Sequence, residues 1–361
     1  MSGLKNLVSI KDWFSEFSSD KLLIAGPCSA ETEKQLLETA KEISNKTNIS
    51  VFRAGIWKPR TRPGSFEGVG EIGLKWLQKV KKETNLRTAV EVATPEHIKL
   101  AVDNNVDILW IGARTVSNPF SVQLLADELK THNIPILIKN SLNPDIDLWQ
   151  GAIERIYSSG IRKIAAIHRG FYPFEKTNLR NIPKWEIPIE LKTRFHNLPI
   201  IGDPSHIAGD SDLVADIAQK ALDINFDGLM IESHINPKEA LSDAKQQLTP
   251  SKLAYLLQNI KFRSSANLLE QHLDLLRENI DSIDKQMLEL LAKRMTTVEK
   301  IGEYKREHNI AVFQLRRWEH IIRSRKDFGE KMGLSEKFIK KILQLVHKES
   351  IAKQNKIMNK K

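Results

Sequence analysis

Leu22-Leu23-Ile24-Ala25-Gly26-Pro27-Cys28-Ser29 is a short apolar run that halts at a glycine-proline pair and delivers a cysteine, the single one in 361 residues. The run reads as a β-strand with a chemically active group at its end. The figure recurs at 51–54, 88–92, 108–111, 136–139, 163–167, 199–202 and 228–231, with helical segments between. Nearly every run leads into a reactive or charged residue: Cys28, Arg53 with Lys58, Arg114, Lys139, Arg169, Asp203 with His206, and Glu232. Eight strand–helix alternations predict an α/β fold, a (β/α)8 TIM barrel whose active site lies where the strands end. One cysteine alone is more often a small buried hydrophobe than a ligand. The repeated coincidence with strand ends is what marks these residues.

Bulk properties narrow the class. The length fits about two domains, and 41% hydrophobic with 28% charged residues is ordinary for a soluble globular protein. No apolar run reaches the ~18 residues of a membrane span. The first twenty residues lack a signal-like apolar core; Trp13, Phe14 and Phe17 predict a short docking helix there. A single cysteine excludes an intrachain disulfide and fits a reducing cytoplasm, the expected location. Net charge is +10, of which residues 266–361 carry +7. The excess is spread along amphipathic helices and a lysine-rich tail at 353–361. Anionic metabolites are therefore the expected partners, with no nucleic acid and no membrane.

Strand–helix alternation stops after Glu232. A helical stretch at 250–260 closes the barrel, and 261–266, with Ser264-Ser265, is the connector, giving domains 1–263 and 264–361. Beyond it Leu269, Leu273, Leu276, Ile280, Ile283, Met287, Leu290, Arg294, Val298 and Ile301 recur at spacings of four and three. This predicts one long amphipathic helix over 268–307, roughly 60 Å at ~1.5 Å per residue, with a coiled-coil-like seam. So small an all-helical domain can hardly cover that seam alone, so a homo-oligomer, at least a dimer, is expected. Two shorter helices follow at 314–330 and 335–357, broken at Met332-Gly333, with Ser335 as an N-cap.

In the barrel, Cys28, His206, Glu232 and Asp243 form a possible metal set. Thiolate, imidazole and carboxylates suit a divalent Mn, Fe, Co or Zn ion and disfavour Ca, although Asp243 by itself could cap a turn. Six cations, Arg53, Lys58, Arg60, Arg114, Lys139 and Arg169, imply an anionic substrate with more than one phosphate. A metal among them argues for Lewis-acid polarisation of a carbonyl.

Gly26-Pro27-Cys28-Ser29, Arg53 with Lys58-Pro59-Arg60-Thr61, Gly112-Ala113-Arg114, Ile138-Lys139, His168-Arg169-Gly170, Asp203-Pro204-Ser205-His206 and Leu241-Ser242-Asp243 occur in order. Together they resemble the short-barrel type of 3-deoxy-D-arabino-heptulosonate 7-phosphate (DAHP) synthase, over about 20–260. The resemblance implies condensation of phosphoenolpyruvate with erythrose 4-phosphate, the first step of the shikimate pathway. It makes Cys28, His206, Glu232 and Asp243 metal ligands. Arg114, Lys139 and Arg169, with Arg53 and Lys58, would hold phosphoenolpyruvate, and Arg60 and Thr61 the erythrose 4-phosphate. Lys58 and Lys139 would be the catalytic lysines, with Lys139 or water carrying the proton. The related octulosonate 8-phosphate synthases resemble Lys-Ala-Asn-Arg where this chain has Lys58-Pro59-Arg60-Thr61, which favours the heptulosonate reaction.

In the helical segment Arg294 and Lys305 fall on the apolar seam with Val298 and Ile301, while Ser350 and Gln354 continue the face of Ile339, Leu343 and Val346. A buried cation without a partner is costly. One such residue could snorkel; the four together point to an anion pocket. Leu276-Arg277, Leu291-Ala292-Lys293-Arg294, Lys305, Arg317, Glu349-Ser350 and Gln354 resemble the all-helical chorismate mutase family over about 268–357. That resemblance implies a dimer with interleaved long helices, Arg277 reaching the partner's pocket, and Arg294, Arg317 and Ser350 binding substrate. Lys305 and Gln354 would hydrogen-bond the ether oxygen of chorismate as its bond breaks. No nucleophile is needed; preorganised electrostatics suffice. The chain departs from the family at Trp318 and Gln314, where acidic residues are frequent, which bears on the contact to the ring hydroxyl; Glu319 is one residue off. The two activities are not consecutive, so channelling makes little sense and feedback does. With a first strand near Leu22, no N-terminal regulatory domain is expected, and prephenate acting through the helical domain is the expected inhibitor of the synthase. The alternative is a mutase-like regulatory module of little activity.

Overall fold

The computed structural model describes residues 4–59, 64–174, 177–263 and 270–359. The chain forms two compact units, Met1–Ser264 and Ser265–Lys361. In the first, β1 (Leu22–Gly26), β2 (Val51–Arg53), β3 (Arg87–Val92), β4 (Ile108–Ile111), β5 (Ile136–Lys139), β6 (Ile164–His168), β7 (Ile200–Gly202) and β8 (Gly228–Glu232) close into a barrel in chain order. Neighbours are parallel, and β8 returns to β1 in a register running from Leu22 opposite Gly228 to Gly26 opposite Glu232.

Strand parity divides the buried side chains. Leu22, Ile24, Val51, Ala89, Ile108, Trp110, Leu137, Ala165, Ile167, Ile201 and Met230 form the barrel's interior. The alternate residues, among them Ala25, Phe52, Val90, Leu109, Ile138, Ala166 and Leu229, pack with the surrounding helices. Both faces are covered, which is why the strands appear in sequence as continuous apolar runs instead of alternating ones. Parity also sets the mouth. Stepping two residues on from Val51, Ala89, Leu137, Ile167, Ile201 and Met230 brings Arg53, Glu91, Lys139, Arg169, Asp203 and Glu232 to the interior at the strands' C-terminal ends.

The N-terminal segment differs from expectation. Instead of a docking helix it forms a single 3-10 turn, Ile10–Asp12. Docking is achieved by side chains in and beside that turn: Ile10 and Trp13, each 2% exposed, join the barrel interior, and Val8, Phe14 and Phe17 pack partly buried against it. Lys163 at the foot of β6 donates to the Trp13 carbonyl at 3.2 Å.

The helices of this unit are α1 (Glu33–Lys46), α2 (Ile72–Thr84), α3 (Pro95–Asp103), α4 (Ala113–Val116), α5 (Pro119–Leu129), α6 (Ile146–Ser158), α7 (Glu186–Arg194), α8 (Pro204–Ala208), α9 (Val214–Asp223) and α10 (Pro250–Asn259). Thr32 and Thr94 cap α1 and α3 by accepting the Gln35 and His97 amides at 3.1 and 3.2 Å.

The second unit holds α11 (Glu270–Glu307), α12 (Leu315–Lys331) and α13 (Glu336–Met358). Gly333, at φ 82°, turns the chain between α12 and α13. Ser335 Oγ then accepts the Phe338 amide at 3.4 Å, the cap read from sequence. Both α11 and α12 pack on α13. Among the described residues, the buried apolar side chains here are Val298, Ile339 and Ile357, matched by buried Lys305, Ser350 and Gln354. By contrast Leu276, Ile280, Ile283, Met287 and Leu290, the seam of α11, are 50% to 67% exposed.

Candidate active site

Gly26 ends β1 at φ 149°, where a Cβ would lie 2.1 Å from the Arg53 carbonyl oxygen. Only glycine lets β1 and β2 approach this closely. The chain then turns so that the Cys28 amide donates to Gln247 Oε1 at 2.9 Å. After β7, Asp203 and Pro204 start α8 as N-cap and first residue, setting His206 on the first turn. Asp243 takes a left-handed conformation, φ 52°, and its carboxyl returns to the mouth.

These elements bring three of the four residues of the sequence's metal set into one cluster, with His206 beside it. Cys28 Sγ and carboxylate oxygens of Glu232 and Asp243 lie within 4.8 Å of one another, a mutual spacing that His206 falls outside. His206 Nε2 is 3.5 Å from Glu232 Oε1 and 3.9 Å from Asp243 Oδ2. Its other nitrogen, Nδ1, is 2.8 Å from Asp203 Oδ1, so Nε2 faces the cluster, the arrangement of a ligating imidazole oriented by a carboxylate. Glu232 is buried and its Oε1 accepts no hydrogen bond, while Oε2 accepts from Gln246 Nε2 at 2.6 Å. The Cys28 thiol donates to Asp243 Oδ2 at 3.4 Å. Burial, and next the Glu232 carboxylate, push it up to about 12. Burial also holds His206 below its ordinary value, against the pull of Asp203 and Glu232. A thiol, a neutral imidazole and two carboxylates, one with an oxygen that accepts no hydrogen bond, fit a divalent ion of the borderline class.

Beside the cluster lies a cationic wall. Arg53 is 1% exposed. Its Nη2 sits 3.3 Å from Glu232 Oε1 and its guanidinium 4.8 Å over the Trp110 ring, yet Nε and Nη1 have no partner. Lys58 Nζ donates to Cys28 Sγ at 3.0 Å and to the Cys28 carbonyl at 2.9 Å. Lys139 Nζ donates to Asp203 Oδ2 at 2.7 Å. Burial would raise the Asp203 carboxyl, but His206 and Lys139 hold it well below the usual range. Arg169 donates to Asn181 Oδ1 at 2.9 Å, and burial draws it down to about 10. Arg114 is exposed on α4, after β4. Arg60 and Thr61 lie outside the described residues.

Several participants were not singled out from sequence. Arg180 pairs with Asp243 at 2.9 Å and donates to Gln246 Oε1 at 2.5 Å. Asn140 Oδ1 accepts the Arg169 amide at 2.7 Å. Glu91 accepts from Trp110 Nε1 at 3.2 Å. Parity along β3 exposes Glu91 to a reader of the sequence; Arg180 lies in an irregular segment and Gln246 ends a three-residue 3-10 turn, neither with a period to reveal it.

The second unit gathers a separate set. Arg294, expected on the buried seam, is exposed, because its guanidinium reaches out to α13 to donate from Nη1 to Ser350 Oγ at 2.7 Å; Lys305 is buried and its Nζ donates to the Val312 carbonyl at 2.7 Å. Gln354 is buried with Oε1 unpartnered. Burial, and then Arg325, lower the Arg294 guanidinium, and burial lowers Lys305. Arg317 is exposed, with Nη1 3.3 Å from His320 Nδ1. Arg277 is exposed too, paired with Asp274 at 3.0 Å. Among the described residues, no helix is long and apolar enough to cross a membrane.

A closed parallel barrel with a cation-lined mouth, joined to a helical unit with a buried lysine and arginines of its own, defines a two-site enzyme of the TIM-barrel class. Residues 17–266 match the DAHP synthetase I family and 276–355 match chorismate mutase type II. The chain belongs to the DAHP synthetase I family and carries a C-terminal chorismate mutase type II domain, making it a bifunctional shikimate-pathway enzyme with synthase and mutase activities. It is similar to the phospho-2-dehydro-3-deoxyheptonate aldolase of Thermotoga maritima, 35% identical over 239 residues, 66% of this chain and 68% of that one. A 2-dehydro-3-deoxyphosphooctonate aldolase of Wolinella succinogenes is 26% identical over 260 residues, 66% of this chain and 97% of that one. The crystal structure of the Thermotoga maritima DAHP synthase aligns with TM-score 0.60 at 33% identity, covering 66% of this chain and 67% of that one.

Proposed function

We propose that the barrel condenses phosphoenolpyruvate with erythrose 4-phosphate and water to DAHP and phosphate, and that the helical domain, divided from it at 263/264, converts chorismate to prephenate, which inhibits the barrel. The observation that carries the barrel reading is Arg53. A cation buried to 1% exposure with two unpartnered nitrogens is costly until an anion completes it.

Cys28, His206, Glu232 and Asp243 would hold a divalent ion of the Mn, Fe, Co or Zn type, which when bound supplies Lewis acidity toward the aldehyde carbonyl. Arg53, Arg114 and Arg169, with Lys58, bind the carboxylate and phosphate of phosphoenolpyruvate and fix its enol carbon against the aldehyde. Arg60 and Thr61 take the phosphorylated sugar. As the carbon–carbon bond forms, Lys139 Nζ gives a proton to the aldehyde oxygen, which becomes a hydroxyl. Water adds to the carboxyl-bearing carbon and gives one proton back to Lys139; the bond from that carbon to the bridging oxygen of the phosphate then breaks, the new hydroxyl becomes the ketone, and its proton leaves with the phosphate. Asp203, 2.7 Å from Lys139, holds the lysine in place.

In the helical domain Arg294, Arg317 and a second subunit's Arg277 bind the two carboxylates of chorismate. Ser350 orients Arg294, and Lys305 and Gln354 stabilise the ether oxygen as the bond breaks. The unit of function is at least a dimer, and its proposed location is the cytoplasm.

The test is a paired assay. Cys28→Ala should abolish synthase turnover and leave mutase turnover nearly intact, and chelation by EDTA should do the same, reversibly, to the wild type. Full synthase activity in exhaustively demetallated protein would overturn the metal assignment. Absence of chorismate turnover by the wild type would favour a purely regulatory helical domain.

A further inference from the structure

On α13, His347 stands three residues before Ser350 and seven before Gln354, so the three share one helix face. Arg294 reaches that face through its bond to Ser350. The imidazole stacks on Trp318 of α12, with ring centroids 4.0 Å apart and planes 21° from parallel. Phe313 meets it at 6.0 Å and 63°. Two ring contacts fix the plane of the imidazole, and its Nε2 is buried without a hydrogen-bond partner. A buried polar atom in that state is costly until a ligand or water completes it. Burial, with Arg294 and Lys305 in electrostatic reach, holds His347 below its ordinary value, so the ring is neutral near pH 7.

A neutral imidazole nitrogen donates or accepts according to tautomer, whereas arginine, lysine and the indole of Trp318 only donate. The mutase ligands carry two carboxylates, which match the cations, and one secondary ring hydroxyl, which both donates and accepts. We propose that His347 is a specificity residue of the mutase site, its Nε2 binding the ring hydroxyl, with Trp318 as the positioning residue that holds the imidazole. This rests on the mutase reading above.

The experiment uses the full chain and two ligands: prephenate, and its analogue with hydrogen in place of the ring hydroxyl. Calorimetric titration of wild type, His347→Phe and His347→Gln reads both affinities without requiring turnover. His347→Phe keeps the stack and loses the nitrogens. It should weaken prephenate about tenfold and leave the analogue unchanged, and the KM for chorismate should rise more than kcat falls. His347→Gln, which restores a polar atom, should recover part of the loss. Equal weakening of both ligands makes His347 a packing residue and overturns the proposal, as does undiminished prephenate affinity in His347→Phe. A wild type that neither binds prephenate nor turns over chorismate refutes the mutase reading itself, an outcome distinct from those two.

Discussion

Arg53 ties stability and chemistry together in one side chain. It offsets the buried Glu232 at 3.3 Å and keeps two donors open. Arg53→Met preserves much of the volume over Trp110 but strands Glu232, and breaking a buried pair costs about 3–5 kcal/mol. A lower unfolding temperature by calorimetry and a kcat/KM for phosphoenolpyruvate reduced on the order of 10²-fold are expected together; a wild-type value of either would separate the two roles. Parity explains what could be read at this scale. Arg53, Lys139, Arg169, Asp203 and Glu232 occupy the interior-facing step at the ends of five strands, so their convergence was legible once the strands were. Arg180 and Gln246 enter from segments without a repeat, and His347 looked like any polar residue until Trp318 lay against it. Only the three-dimensional path of the chain brings those together.

Among the elements, strands with both faces buried left long apolar runs, so all eight were visible in the sequence. The plug at the barrel's foot was visible only as aromatic content: Trp13 docks from a three-residue turn, too short for any period. α11 poses the sharper question. Its seam at Leu276, Ile280, Ile283, Met287 and Leu290 keeps heptad spacing and remains at least half exposed. A helix 38 residues long with an uncovered apolar stripe gains from a second copy, because each fully buried Leu, Ile or Met side chain contributes about 1.5–3 kcal/mol. Replacing Ile283 and Met287 together with Lys puts charge into that stripe. Sedimentation should show the association state fall by a factor of two, and mutase kcat/KM should drop on the order of 10²-fold as the pocket loses the second subunit's Arg277. A variant that sediments like wild type removes the seam from the interface.

For the whole molecule the issue is why these two activities share a chain. Their substrates are separated by several steps, so neither site feeds the other directly, whereas a product of the later reaction reports on flux through the first. Prephenate would bind among Arg294, Lys305 and Ser350, where burial already lowers both cations. An anion relieves that cost, so it stabilises whichever state of the chain presents those cations together. If that state differs in barrel activity, a coupling of about 1–3 kcal/mol suffices. Thermodynamic reciprocity adds a second requirement: phosphoenolpyruvate must change prephenate affinity by the same factor that prephenate changes phosphoenolpyruvate affinity. Synthase rates titrated with prephenate should therefore fall in the wild type and stay flat in Arg294→Ala over the same range, because that variant loses the bond to Ser350 and the carboxylate contact. Calorimetric titration of prephenate with and without phosphoenolpyruvate supplies the reciprocal arm. Equal inhibition of wild type and Arg294→Ala would place the inhibitor at the barrel instead, and no inhibition of either would leave the two activities joined without feedback.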